Sequence, residues 1–392
     1  MTSDITRSPA PDEALAVSAA TPPTRDRYVD LIRAISITVV IFGHWLDDAL
    51  DWDSPGWISN LLPTSLPLQS LTWLIQIMPL FFFVGGFSNA LSLASTRRRG
   101  GGYTDFLQHR LERLLRPRAV FLSVWGLLTV TLRFFWPDSE AAATITLLAW
   151  QPLWFLAIYI LAIALTPVTL AAHRRFGWLV PLALFGVAVV VDVARFGLGM
   201  AFVGFINLLA VWLLAFQLGY FYVDGRLQAI GTWRLVGIAL AALAALTALT
   251  TWGPYPRSMV GTGAEQAVSN MFPPTLCIAV LTVWLVALAM LVRKPAEALA
   301  ARPRVWTAVV LVNLYIMTLY LWHTSAWSVT ALILHSLSVW TPAVGSVGFW
   351  LTRPLWLATL SLVLLGFVRV FGRFEQPPSI VRAAKAATAV AP

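Results

Sequence analysis

Three ionisable side chains share one apolar stretch. In RYVDLIRAISITVVIFGHWLDD, residues 27–48, Asp30, Arg33 and His44 interrupt a run otherwise apolar enough to cross a bilayer, where charged groups are costly and commonly functional. Arg33 and His44 stand eleven residues apart. At 100° per residue that returns them to within about 20° of one face, roughly 16 Å apart along a helix. Asp30 lies one turn before Arg33 on nearly the same side, so the three groups line one stripe. An imidazole with its ordinary pKa near 6.5 accepts a proton at working pH, and a carboxylate one turn away can orient a guanidinium. The structural alternative is an Asp30–Arg33 ion pair at the helix end, with His44 bonding a neighbouring helix.

A second group of polar residues follows. Arg110, Arg113 and Arg116 recur at three-residue spacing and drift slowly around one helical face. Guanidiniums so arranged suit phosphate groups, which they bind bidentately; anionic lipid headgroups are the alternative ligands. Arg97, Arg98 and Arg99 are read as orientation signals. His323 closes LYLWH in a later apolar run and is expected at the depth of His44, either in a site or anchoring its helix beside Trp322. Trp154, Phe155 and Tyr159 line a cavity or pack, and packing is the preferred reading. His109, His173 and His335 are given no role. The single cysteine, Cys277, lies in an apolar run as a small core residue, and no metal site is expected.

The elements that must position these groups are transmembrane helices. Of 392 residues 58% are hydrophobic and only 11% charged, with a mean hydropathy of +0.76, whereas soluble domains run near 25% charged. Apolar runs long enough to span fall near 28–46, 70–94, 119–136, 143–171, 177–194, 199–222, 233–252, 273–292, 305–327 and 346–368. With the N-terminus in the cytoplasm, every Lys and Arg except Arg33 within a span and Arg133, Arg195, Arg257 and Arg353 outside falls on the inner side. A miscounted span would spoil that asymmetry. The fold class expected is therefore an all-α integral membrane bundle of about ten helices, both termini cytoplasmic. The net charge of +9 lies in short clusters between spans, which argues against nucleic acid. The first outer loop is the mirror case, with Asp47, Asp48, Asp51 and Asp53 and no Lys or Arg. Three regions are expected: a disordered cytoplasmic tail over 1–26 rather than a secretory signal, a transmembrane domain over 27–370, and a cytoplasmic tail over 371–392. No appended soluble catalytic domain is expected. The outer segment 253–274, rich in Gly and Pro, forms a lid or an ordinary surface loop.

The order of motifs resembles the membrane acyltransferase-3 family. DLIRAISITVVIFGH (30–44) is similar to its opening Arg-x10-His motif. MPLFFFVGGF (78–87), FLQHRLERLLRP (106–117), LWFLAIYILAIALTP (153–167), FQLGY (216–220) and LYLWH (319–323) follow in the family's order. The resemblance covers about residues 27–325 and implies O-acylation, most often O-acetylation, of a sugar or related hydroxyl in the envelope of a bacterium. It implies acetyl-CoA as cytosolic donor and a glycolipid, glycan or small glycoside as acceptor, in a multi-pass bacterial inner-membrane protein surrounded by membrane lipid. On that reading His44 is the general base, Arg33 holds the donor and Asp30 orients Arg33. Arg110, Arg113 and Arg116 meet the nucleotide phosphates, with Trp154 beside the donor. His323, Gly85 and Gly86 lie toward the acceptor. Where the family carries Ser-Gly-Phe this chain has Gly85, Gly86 and Phe87, so no serine hydroxyl acts there. Two rival readings remain: a transporter or flippase without acyl chemistry, suggested by ten spans with internal charges, and a scaffold in an envelope-assembly complex.

Overall fold

The computed structural model describes residue 21 and residues 25–262 and 268–375. Most of both expected tails, and the middle of the 253–274 segment, lie outside the described residues. Among the described residues, nine helices are long and apolar enough to cross a membrane, and a bent pair supplies a tenth. The ten fall where the apolar runs place them, and the protein is an all-α integral membrane bundle. In chain order its helices are α1 (Arg27–Asp47), α2 (Leu66–Ile75), α3 (Met78–Arg98), α4 (Tyr103–Phe135), α5 (Glu140–Trp150), α6 (Leu153–Phe176), α7 (Leu179–Asp192), α8 (Asn207–Val223), α9 (Thr232–Trp252), α10 (Leu276–Ala300), α11 (Pro303–Leu314), α12 (Ile316–Ser336) and α13 (Val347–Phe371). Leu127, Phe134, Leu351 and Leu355 point outward, each at least 70% exposed. That would be a liability in water and is ordinary against lipid.

Several local features differ from the linear reading, each for a physical reason. The basic segment after α3 is helical as its arginine spacing expects, but it does not end at Pro117: α4 runs unbroken through that residue and joins the arginine stripe to the third span. The second span is divided between α2 and α3, where Pro79 stands in the first turn of α3 and Gln76 Oε1 accepts the Met78 amide at 3.3 Å. The fourth is divided before Leu153, where Pro152 cannot continue the helical ladder. The acidic outer loop folds as a short antiparallel hairpin, β1 (Asp48–Leu50) with β2 (Ile58–Asn60), register Asp48↔Asn60. Gly56, at φ 70°, permits its turn; a Cβ there would lie 1.9 Å from Thr144 Oγ1 on α5.

The ninth span bends by 73° between α11 and α12. No proline stands at the break. The exposed amides of the new N-terminus find a carboxylate instead: Glu375 accepts from Met317 N, Thr318 N and Thr318 Oγ1, each at 2.8 Å. A negative group at a helix start satisfies orphan donors and opposes the positive end of the helix dipole.

The helices group into two compact units. The first comprises the described residues of Met1–Leu61, Leu111–Trp154 and Ala296–Pro392. Here α1 packs against α11, α12 and α13, and α12 also meets α5. Its interior holds Ile37, Trp45, Phe121, Trp327 and Phe349, all fully buried. The second comprises the described residues of Leu62–Arg110 and Phe155–Pro295. It is organised by the close contact of α3 with α8. A Cβ on Gly86 would lie 1.9 Å from Phe216 O, and one on Gly219 would lie 2.2 Å from Phe83 O. Asp192, buried at the end of α7, accepts from Asn207 Nδ2 at 2.9 Å and from Leu276 N at 2.7 Å, tying three spans together.

Candidate active site

The stripe on α1 begins at Asp30. This carboxylate is 5% exposed and accepts from Arg33 Nη1 at 2.9 Å and from Arg25 Nε. Asn313 Nδ2 on α11 donates to the Asp30 carbonyl at 2.9 Å, fixing this end of α1. Asp26 caps the helix, accepting from Val29 N at 3.0 Å. Arg33 is thus held by a carboxylate one turn earlier, the pairing that the spacing favours.

At the other end of α1, His44 is half-buried and its ring lies 5.3 Å, centroid to centroid, from that of His323 on α12. The two imidazoles that the sequence places at one depth are neighbours. His323 is 1% exposed, and its Nδ1 lies 2.5 Å from the Tyr320 carbonyl. A carbonyl only accepts, so Nδ1 carries the hydrogen and the neutral ring leaves its lone pair on Nε2. That atom is buried and has no hydrogen-bond partner among the described residues. Tyr320 donates its hydroxyl to Pro152 O at 2.8 Å, Trp125 Nε1 donates to Ser325 Oγ at 2.9 Å, and Trp322 stacks on Phe371 at 3.9 Å. Trp322 therefore packs inside this unit instead of anchoring an interface.

Trp45 ties the layer together. Its indole donates to His323 O at 3.0 Å. Its own carbonyl accepts from Trp356 Nε1 at 3.0 Å and faces Arg353 Nη1 at 3.5 Å, both on α13.

The remaining candidates are distributed differently. On α4, Arg110 belongs to the second unit and Arg116, which is exposed, to the first; the side chain of Arg113 lies outside the described residues. The Nε of Arg110 is buried without a partner among the described residues. Trp154 is half-buried at the start of α6. In the second unit, Phe155 and Tyr159 pack with Phe81 and Phe82 at centroid separations of 5.1–5.9 Å. Gly85 and Gly86 face protein: a Cβ on Gly85 would lie 2.7 Å from Tyr159 Cε2. The close approach these glycines allow is taken up by Tyr159 and the α8 backbone. The described parts of the 253–274 segment are pinned to α2, with Met259 N donating to Thr72 Oγ1 at 2.8 Å and Trp73 Nε1 to Arg257 O at 2.7 Å.

Residues 26–371 match the family model of an acyltransferase domain, that of acyltransferase-3. The chain belongs to this family. No curated protein and no solved structure matches it.

Two features of this acyltransferase escape sequence reasoning. Arg353, counted as an outer cation, is a buried residue in the body of α13, 8% exposed. The signal was its place well inside the apolar run 346–368, between Trp350 and Trp356. The other is a cavity of about 360 Å³ in the second unit, lined by Arg97, Pro167, Leu170, Ala171, Arg174 and Arg175. Those arginines read as orientation signals one cluster at a time, and only the packing of α3 against α6 brings them to one cavity.

Proposed function

We propose that this acyltransferase moves an acyl group, most simply acetyl, from acyl-CoA to a hydroxyl of an envelope glycolipid, glycan or small glycoside in the inner membrane of a bacterium. Residues 27–370 form its working domain, with both termini cytoplasmic. The observation that carries the reading is the imidazole pair: His44 half-buried beside a buried His323 whose Nε2 lone pair is unclaimed. His44, the ring that a substrate reaches, is the general base, and His323 Nε2 accepts a hydrogen bond from the acceptor. The acceptor oxygen attacks the thioester carbonyl carbon as its proton passes to His44. A tetrahedral oxyanion forms, then collapses; the C–S bond breaks, and the CoA sulfur leaves with the proton from His44. The products are the acylated hydroxyl and CoA–SH.

Arg33, steadied by Asp30, binds the donor near its phosphates or arm. A separation of roughly 16 Å from His44 along α1 is one that an extended pantetheine arm can cover. The nucleotide phosphates are taken by arginines, with Arg110, Arg113 and Arg116 the first candidates and Trp154 beside the donor. His323 faces the acceptor side, with Gly85 and Gly86 the further candidates there.

Proteoliposomes holding the purified protein, labelled acetyl-CoA and an envelope glycolipid and glycan fraction test this directly. Label in an alkali-labile product with wild type and a loss of about 10²–10⁴-fold with His44→Ala is expected. No transfer by wild type, with no calorimetric binding of CoA, would overturn it.

The bend between α11 and α12 bears on the transport alternative. Broken helices such as α11–α12 hold substrates in many transporters, where a half-helix N-terminus faces an anion. Here that N-terminus is already occupied by Glu375, which weighs against the transport reading.

A further inference from the structure

Arg353 is a buried cation with little to balance it. A guanidinium stays protonated in any protein environment, and an unpaired one in a bilayer interior is expensive. Among the described residues no carboxylate lies within ion-pair distance of it. Its protein contacts are weak: the Phe349 ring 3.6 Å below the guanidinium carbon, the Trp356 ring at 5.6 Å, and the Trp45 carbonyl at 3.5 Å. The cation–π contact offsets part of the cost. Its Nε, buried, donates to no atom among the described residues.

The position matters as much as the charge. Arg353 leans on the carbonyl of Trp45, the residue that follows His44 and whose indole holds His323 O. Around this one tryptophan stand two histidines, one with a spare lone pair, and a guanidinium with a spare N–H. Acyl transfer to a hydroxyl needs a base for the proton and a donor for the oxygen that becomes negative.

We propose that Arg353 is a catalytic residue of this acyltransferase, its guanidinium donating to the thioester carbonyl oxygen as that oxygen becomes the tetrahedral oxyanion. The proposal rests on the acyl-transfer reading above. The hydroxyl oxygen bonds to the carbonyl carbon, the C=O π electrons move onto the oxygen facing Arg353, and the hydroxyl proton goes to His44. When the C=O re-forms, the C–S bond breaks, its electron pair leaves with sulfur and the sulfur takes the proton. Arg353 gives up no proton. The contact strengthens as charge develops, so it serves kcat more than KM.

The test compares wild type, Arg353→Met and Arg353→Lys in proteoliposomes, with kcat and KM for acetyl-CoA and acceptor and thermal unfolding in detergent. Replacing a buried, unpaired cation by an apolar chain of similar length commonly preserves or raises stability. Arg353→Met is therefore expected to keep its Tm and to lose about 10²–10³-fold in kcat, with both KM values within a few-fold. If Arg353→Met fails to assemble, Arg353→Lys carries the test: it keeps the charge, loses the planar fork and should lose about tenfold in kcat. A kcat within twofold of wild type in the folded variant overturns the proposal. So does a raised acceptor KM at unchanged kcat, which would make Arg353 a binder of an anionic acceptor group. Wild type without any transfer activity removes the acyl-transfer reading and this proposal together, whereas an active wild type with an active Arg353→Met removes this proposal alone.

Discussion

The indole of Trp45 donates to the backbone carbonyl of His323 at 3.0 Å, so the residue beside one candidate histidine holds the other in place. Three of the ten spans meet at this bond, because the Trp45 carbonyl in turn accepts from Trp356 on α13. Trp45→Phe keeps most of the ring packing and removes the donor. Losing this bond, while His323 O keeps its helical partner within α12, should cost about 0.5–1.5 kcal/mol. Unfolding in detergent should show a lower Tm, and transfer assays on the folded fraction should show a lower kcat.

Removing the Glu375 carboxylate exposes the Met317 and Thr318 amides and the Thr318 hydroxyl at once. Glu375→Ala should destabilise by about 1–3 kcal/mol, and Thr318→Val, which leaves both amide bonds intact, by less. Hydrogen exchange should show the loss first in the opening turn of α12.

Asp48, 9% exposed in β1, is pushed up to about 8 by burial and by its neighbour Asp47, against a small opposing effect of the Asn60 hydrogen bond. The raised value means that folding prefers the protonated carboxyl. Its contribution is complete below the ordinary carboxylate value near 3.9 and is lost as pH rises toward about 8. Stability should fall across that window in wild type. Asp48→Asn should flatten the slope, and unfolding midpoints taken between pH 5 and pH 8 would show whether it does.

Gly86→Ala would drive a methyl carbon to 1.9 Å from Phe216 O, whereas Ala at Gly126 would meet nothing within 4 Å. Backbone cannot yield as a flexible side chain can, so Gly86→Ala should cost about 1–3 kcal/mol or more. Gly126→Ala should sit within about 1 kcal/mol of wild type. Comparison of the folded yields and Tm values separates a packing role from substrate contact, which would lower activity without lowering Tm.

Asp30→Asn keeps the size of the side chain but removes the carboxylate charge that Arg25 and Arg33 share. If Arg33 holds the donor, this variant should raise the KM for acetyl-CoA several-fold with little change in the acceptor KM. Initial-rate kinetics at varied donor concentration would read it.

The ten spans were legible because a bilayer accepts only long apolar runs with every backbone group satisfied internally, a demand written in consecutive residues. The pairing of Arg33 with Asp30 was legible for a related reason, since helix geometry alone sets neighbours three residues apart. The nearness of His44 to His323 followed from depth, but their contact depends on how α1 and α12 turn toward each other. Arg353 was misplaced because counting charges by side assigns even a cation inside an apolar run to the nearer loop, and only packing against Trp45 shows it buried. The Glu375 cap and the bend at Tyr315 join residues 57 and 58 positions apart, with no local motif to announce them. The hairpin at Asp48 was hidden by its acidity, which reads as a topological signal whether or not the chain pairs.

Glu375 is translated after all ten spans, yet the turn it caps lies in the ninth. While the ribosome is still delivering α13, the start of α12 enters the membrane with its amides unanswered, and the helix that carries His323 lacks the contact that sets its bend. The layer around Trp45 is therefore assembled only after the last span has been threaded and the chain has folded back on it. The histidine layer is thus finished by residues that follow it in the chain, and the last residues of the described structure complete a site whose first residues stand on α1.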